Sequence, residues 1–275
     1  MNKKNSIYRF TSFESFVNIV QNKKLAFVNH ELWEDPYEGF IFKALKSPEG
    51  RLKIQQISQK LFSQDLISIM MLSNFNNCIH GQSWSRCEES DALWRIYSFN
   101  NQAIRIEVDF ENINKLLDVI CGDIIYKDFK TLEEEILDLI ENNGKTVDLK
   151  KILLRKRTAF QHEEEIRLLT KINLNFLPQN NRTPQEIEMV EKGLEALRKD
   201  NQITEQEYQN GLKDLYDKKV IPKVVHISFE HIQGFIKTVM VHPQSSDWFC
   251  ETVKEFCKRN NLKYIGKSKL YTLTV

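Results

Sequence analysis

The sequence predicts an α+β fold, and three observations carry that expectation. Residues 103–110, Ala-Ile-Arg-Ile-Glu-Val-Asp-Phe, alternate apolar and polar at a period of two, as a half-buried strand does. Phe13, Phe16, Val17 and Val20 recur at helical spacing just after Ser12. Strand-like and helix-like segments then follow one another without the regular alternation that builds a doubly wound parallel sheet.

In chain order, residues 7–11 read as a short strand, and Ser12 as the N-cap of the helix behind it. Residues 24–28 form a second strand. Glu34-Asp35-Pro36-Tyr37-Glu38-Gly39 is a turn, because its proline and glycine interrupt regular structure. Residues 48–71 carry a helical pattern with Leu52, Ile57, Leu61, Leu66 and Ile69 as core contacts. Residues 78–94 are polar and irregular, and 91–97 suggest one helical turn. Beyond the alternating strand, residues 124–126 form another. Residues 132–140 and 149–160 are helices parted by a turn at Asn142-Asn143-Gly144. Alternation returns over 163–169. Residues 178–219, rich in Glu, Lys and Gln, read as an inserted helical hairpin whose second arm opens with the capping-box pair Thr204 and Glu207. Strands at 224–227 and 236–241, a helix at 248–257 and a strand at 269–275 follow. No repeat or linker divides the chain, so residues 1–275 are expected to form one domain carrying the 178–219 insertion.

Composition narrows the function classes. The 39 Lys and Arg offset 38 Asp and Glu to leave a net charge of +1. A chain that coats nucleic acid or anionic lipid by bulk electrostatics is thereby disfavoured, although a local basic groove is not. No apolar signal core follows Met1, and no apolar run nears the ~20 residues of a membrane span. A cytoplasmic protein without a membrane partner is expected. Cys78, Cys87, Cys121, Cys250 and Cys257 are odd in number and scattered, which suits a reducing compartment better than a disulfide framework. Cys78, His80 and Cys87 offer soft ligands, yet a structural zinc site uses four in recognisable pairs, so no metal is assigned. Walker, GxGxxG, HExxH and GxSxG motifs are missing.

Three elements offer chemistry. On a strand, Glu163, Glu165 and Arg167 share one face. Adjacent carboxylates there repel, and the guanidinium beside them offsets part of the cost. One carboxylate can then stabilise developing positive charge while the other orients a nucleophile. The plainer alternative is a solvated edge strand. Ser83-Trp84-Ser85 with Trp94 and Tyr97 places hydroxyls among rings, fit either to stack a flat ligand or to fill a core. Arg9, between Tyr8 and Phe10, is an anchor for a phosphate or carboxylate or an ordinary partner for an acidic neighbour.

Tyr8-Arg9-Phe10-Thr11, Asp35-Pro36-Tyr37-Glu38, Ser85 with Trp94 and Tyr97, Phe160-Gln161-His162-Glu163-Glu164-Glu165-Ile166-Arg167 and Ser268-Lys269-Leu270-Tyr271 occur in that order. The set resembles a bacterial family of formerly unknown function that is similar to divergent ADP-ribosyltransferases. That family includes RNA-modifying toxins of phage-defence toxin–antitoxin systems. The resemblance implies a split mixed β-sheet flanked by helices, with NAD as substrate and no metal. It implies that Arg9 contacts the NAD phosphates or ribose, with Tyr8, Ser83, Trp84, Ser85, Trp94 and Tyr97 around the cofactor. Glu165 would hold the nicotinamide ribose hydroxyl and Glu163 orient the acceptor. Phe160 stands where the family often has Trp, and Ser-Trp-Ser replaces Ser-Thr-Ser, which leaves open whether Ser83 or Ser85 counts. Glu165→Gln is expected to abolish NAD consumption and leave the fold intact.

The acceptor that the resemblance favours is single-stranded RNA, with Arg86, Arg95, Arg155, Lys156 and Arg157 available to line a groove and Trp84 or Tyr97 to stack a base. Protein, DNA or water are the other acceptors, the last making the chain an NAD glycohydrolase. A non-catalytic nucleotide-sensing or protein-interaction module is the alternative class. The 178–219 hairpin is then a docking surface, and in a toxin the place for an antitoxin or chaperone.

Overall fold

Local patterning and long-range pairing together set the elements in a computed structural model, which describes residues 5–46, 49, 78–98, 100–143, 149–172, 184–216 and 222–273. Strand β1 (Ser6–Ser12) runs into helix α1 (Phe13–Asn22) and back as β2 (Lys24–Asn29). A turn leads to α2 (Phe40–Lys46). Then come β3 (Ile79–Ser85), α3 (Asp91–Ile96), β4 (Ala103–Asp109), α4 (Phe110–Asn114), β5 (Val119–Asp123) and β6 (Ile125–Lys127). Helices α5 (Phe129–Asn143) and α6 (Leu149–Leu153) precede β7 (Arg155–Arg157), a 3₁₀ turn (Thr158–Glu163) and β8 (Glu165–Lys171). Helices α7 (Pro184–Lys199) and α8 (Glu205–Tyr216) lie side by side. The order continues with β9 (Val224–Ser228), β10 (Ile236–Val241), α9 (Asp247–Arg259) and β11 (Tyr264–Lys267).

The result is a mixed α+β arrangement in which helices flank a nine-stranded mixed sheet. The sheet has two halves. One runs β11-β10-β4-β1, parallel only between β10 and β11. The other runs β9-β2-β3-β8-β5 and is antiparallel throughout. The halves meet at a single pair, Tyr8 opposite Ser85. On its other edge β3 pairs with β8 along its whole length, from Ile79 opposite Lys171 to Ser85 opposite Glu165. Strands β1 and β2 therefore diverge from opposite ends of β3, and a gap opens beside Ser83.

The main core shows why these strands assemble. Ile7, Ile104, Ile106, Val108, Val239 and Val241 are buried, and α1 and α9 close over them. Ser12 accepts from the Ser15 amide at 3.3 Å, satisfying an orphan donor of α1; such a cap contributes about 1 kcal/mol. Phe249, Val253 and Cys257, four residues apart, form the buried stripe of α9. Asp247 in its first turn and Lys258 and Arg259 in its last oppose the helix dipole. The rings of Phe13 and Phe16 meet Phe249 and Phe256 edge-on at 5.5–6.0 Å, locking the two helices together. On the opposite face Tyr8, Phe10, Leu93, Trp94 and Ala103 form a second cluster.

Several expectations are corrected. The stretch that looked irregular contains β3, a central strand, because its polar side chains find distant partners: Gln82 donates to the Ala26 carbonyl at 2.9 Å and accepts from the Trp84 indole at 2.8 Å. Strand β4 is buried on both faces, not one; α3 covers the side where Arg105 lies over the Tyr8 ring at 4.9 Å. The helix expected over 149–160 ends at Leu153, and Arg155–Arg157 pair in parallel with β6. Strand β8 starts at Glu165, leaving Glu163 in the 3₁₀ turn. The last strand lies at Tyr264–Lys267 rather than 269–275. The hairpin helices occupy 184–199 and 205–216, and the Thr204–Glu207 capping box is formed, while 178–183 and 217–219 lie outside the described residues. So does the helix read over 48–71, apart from Glu49. Cys78 and Cys87 flank opposite ends of β3, and both ring nitrogens of His80 face carbonyls, those of Cys78 and Pro222. Among the described residues no helix is long and apolar enough to cross a membrane.

Gly81 marks a close approach that matters for the site. A Cβ there would lie 2.5 Å from the Trp33 ring, which is itself stacked 4.3 Å from the Arg167 guanidinium. Gly81→Ala is expected to destabilise by roughly 1–3 kcal/mol, since overpacking a fixed ring forces a backbone or rotamer shift. A fall in the urea midpoint at unchanged slope checks it.

Candidate functional site

Alternation on β8 sends Ile166 and Leu168 into the main core and leaves Glu165 and Arg167 on the other face. The same rule on β3 buries the Trp84 indole in that core and turns Ser83 and Ser85 the other way. Register then sets Ser83 opposite Arg167 and Ser85 opposite Glu165. Five charged residues are held together as a result. Glu165 Oε1 accepts from Ser83 Oγ at 2.6 Å and from Arg167 Nε at 2.8 Å, and its Oε2 accepts from Lys156 Nζ at 3.0 Å. Lys156 also reaches Glu163 Oε2 at 2.7 Å and Glu38 Oε1 at 3.2 Å. Arg167 reaches Glu38 Oε2 at 3.2 Å and donates to the Leu153 carbonyl at 2.5 Å.

The electrostatics follow from this packing. Burial by itself pushes the Glu165 carboxyl up, but the Arg167 and Lys156 charges outweigh it and hold it down at about 2. Burial likewise pulls Lys156 down, and the carboxylates of Glu165 and Glu38 more than reverse that, leaving it raised. Each buried charge is thus compensated, as buried ions must be. Three carboxylates against two cations leave one negative charge.

Arg9 supplies the opposite sign. Its Nη1 donates to the Ser83 carbonyl at 2.7 Å, in the gap where the half-sheets part. Its Nε is buried without a hydrogen-bond partner, and among the described residues no carboxylate pairs with it. Burial lowers its pKa, opposed by the Tyr97 hydroxyl nearby. An incompletely partnered guanidinium is suited to an anionic or hydroxyl-rich ligand.

Arg9, Ser83, Glu163, Glu165 and Tyr97 line one cleft, next to Tyr8 and Ser85. The two serines differ. Ser83 touches the Glu165 carboxylate, whereas Ser85 donates to the Glu163 carbonyl at 2.6 Å and accepts from the Cys87 amide at 2.9 Å. Ser85 therefore shapes the chain around the site.

Trp94 does not join the cleft. It is wholly buried against Phe10, edge-on at 4.8 Å, and its indole donates to Glu89 at 2.8 Å. Trp84 borders the cleft, but its indole is committed to the core and to Gln82. Tyr8 is buried beneath Arg105, so the exposed ring at the mouth is Tyr97. Each of the five basic residues expected to line a groove has an acidic partner. Arg86 pairs with Asp123, Arg95 with Asp91, Arg155 with Glu135 and Arg157 with Asp35, while Lys156 is buried among carboxylates. Lys156, Glu38 and Tyr126 were missed as site residues. Glu38 had a signal, its place in the Asp-Pro-Tyr-Glu turn. Lys156 had none, since Arg-Lys-Arg in a sequence looks like a solvated face.

Neither protein-family models nor curated protein sequences match this chain. Chemically, the cleft combines an anion-seeking guanidinium, a carboxylate held ionised by its cationic neighbours and fixed by three donors, and a second carboxylate, Glu163, which among the described residues has one oxygen engaged.

Proposed function

We propose that the chain is an NAD-dependent ADP-ribosyltransferase. The observation that carries this reading is the meeting of Arg9 and the ionised Glu165 on one cleft at the seam between two half-sheets. The motif resemblance supports it, and so does the mixed sheet divided at one residue pair, which suits the split sheet of that family.

The chemistry follows from the charges. Arg9 binds a phosphate or ribose oxygen of NAD. The bond from the ribose C1′ to the nicotinamide nitrogen breaks, its electron pair leaves with neutral nicotinamide, and positive charge develops on the sugar. Glu165 accepts the ribose hydroxyl and stabilises that charge, an electrostatic contribution that needs no proton transfer. The acceptor oxygen or nitrogen then bonds to C1′ and gives its proton to the free oxygen of Glu163. The acceptor we assign is RNA, on the resemblance alone, within a toxin of anti-phage defence.

Nicotinamide release from NAD, with and without RNA, tests the reading. Ser83→Ala is expected to slow release by roughly 10-fold or more, by removing one of the donors that fix Glu165. Ser85→Ala, which touches no carboxylate, is expected to cost about 1 kcal/mol of stability with far less effect on the rate. Equal rates for Ser83→Ala and the parent would break the assignment of that serine.

A further inference from the structure

Strands β6 and β7 form a two-stranded parallel ribbon apart from the main sheet. At three residues each, they are too short to be stable alone. The ribbon's central pair sets Tyr126 opposite Lys156, and both side chains reach the same residue. The Glu165 amide donates to the Tyr126 hydroxyl at 2.7 Å, while Lys156 donates to the Glu165 carboxylate at 3.0 Å. Lys156 also holds Glu163 at 2.7 Å and lies 4.5 Å from the Phe160 ring centre in the same 3₁₀ turn. On either side of Lys156 the ribbon is pinned outward, Arg155 by Glu135 and Arg157 by Asp35.

We infer that this ribbon is a positioning device: Lys156 clamps the Glu163 and Glu165 carboxylates into one arrangement, and Tyr126 fixes the main chain of Glu165. Its kinetic consequence rests on the transferase reading; its structural consequence does not. Lys156 acts through the carboxylates and not on the substrate, so it is a positioning residue. The groups facing Glu165 are Arg167 on its own strand, Ser83 on β3, Lys156 and Tyr126 on the ribbon, Glu163 on the 3₁₀ turn and Glu38 before α2. Arg9 on β1 and Tyr97 after α3 line the same cleft. Without Lys156, the three carboxylates would share the Arg167 charge alone, and Glu163, which has no other side-chain donor among the described residues, would be free to swing away.

The test combines two readouts on the full chain. Carbon-13 NMR of the glutamate carboxylates follows the titration of Glu165, and NAD turnover gives kcat, KM and their pH profiles. Lys156→Met is expected to raise the Glu165 midpoint by about one pH unit or more, because an adjacent cation is lost. It is expected to lower kcat by ~10–100-fold with KM for NAD changed no more than a few-fold, the signature of lost orientation rather than lost binding. Lys156→Arg should restore most of both. Lys156→Gln replaces Lys156→Met if the latter does not fold, and Tyr126→Phe should lower kcat several-fold while leaving the carboxylate titration in place. An unmoved Glu165 midpoint in folded Lys156→Met or Lys156→Gln would overturn the inference, as would a failure of arginine to rescue. Absence of nicotinamide release in the parent chain would remove the transferase reading, and the titration would still decide the role of the ribbon.

Discussion

Glu165→Gln is expected to lower NAD turnover by roughly 10²–10³-fold, the scale on which removing one preorganised electrostatic group slows a reaction. Glutamine keeps the shape and one acceptor oxygen but removes the negative charge that faces the developing positive sugar. The structure amends the expectation that this change leaves the fold untouched. Arg167 and Lys156 each lose a buried partner, retaining Glu38 in common and Glu163 for the lysine alone. A folded but less stable variant is therefore expected, and its turnover should be measured well below its midpoint of unfolding. Binding of NAD, followed by equilibrium dialysis, is expected to change far less than turnover. A variant that stays folded and turns over NAD at the parent rate would remove Glu165 from the chemistry.

Arg167→Met is expected to produce the largest loss of stability. The guanidinium is almost wholly buried, and it serves Glu165, Glu38, the Leu153 carbonyl and the face of Trp33 together. Methionine fills comparable volume but leaves two buried carboxylates to share Lys156. Breaking a buried ion pair from one side costs about 3–5 kcal/mol. In a chain of this size that lowers the melting temperature by roughly 10 °C. The acid limb of stability should change with it. The Glu165 carboxyl sits at about 2 in the folded chain, against 4.5 ordinarily. A depressed carboxyl contributes stability that is fully present above its unfolded pKa and is lost as pH falls through the folded one. The parent should therefore weaken progressively from about pH 4.5 towards pH 2, and Arg167→Met should show a shallower decline over that window. Equal melting temperatures for the two proteins at neutral pH would contradict the network's structural role.

What the sequence made legible was local. Ser12 caps α1 because the cap and the amphipathic stripe lie within one turn of each other, and the Thr204–Glu207 box closes over three residues. Alternation located β4, although the polar face it exposes in sequence is covered in space by α3. Strand β3 was not legible. Its Gln82, Ser83 and Ser85 are polar residues in a buried place, made tolerable by Ala26, Glu165 and Glu163, which lie 56 to 82 residues away. The same physics hid Lys156 and misplaced Trp94. A lysine flanked by two arginines looks solvated until three carboxylates from separate segments surround it, and Trp94, between Leu93 and Arg95, gives no sign that Phe10 and His242 will pack against it. Arg9 and the Glu163–Glu165 pair were legible as candidates from residue type and order. Their approach across the seam depends on pairing between β1, β3 and β8, which no local pattern encodes.

The most direct measurement is incubation of the full chain with NAD labelled in its adenylate portion, alongside separate pools of RNA, DNA and protein. The account predicts label in the RNA pool, one nicotinamide released per label transferred, and both slowed by roughly 10²–10³-fold with Glu165→Gln. Nicotinamide release without labelled RNA would redirect the acceptor to water, and label in protein or DNA would redirect it to that class. No release and no transfer from any pool would contradict the assignment of the Arg9–Glu165 cleft as a site of NAD chemistry.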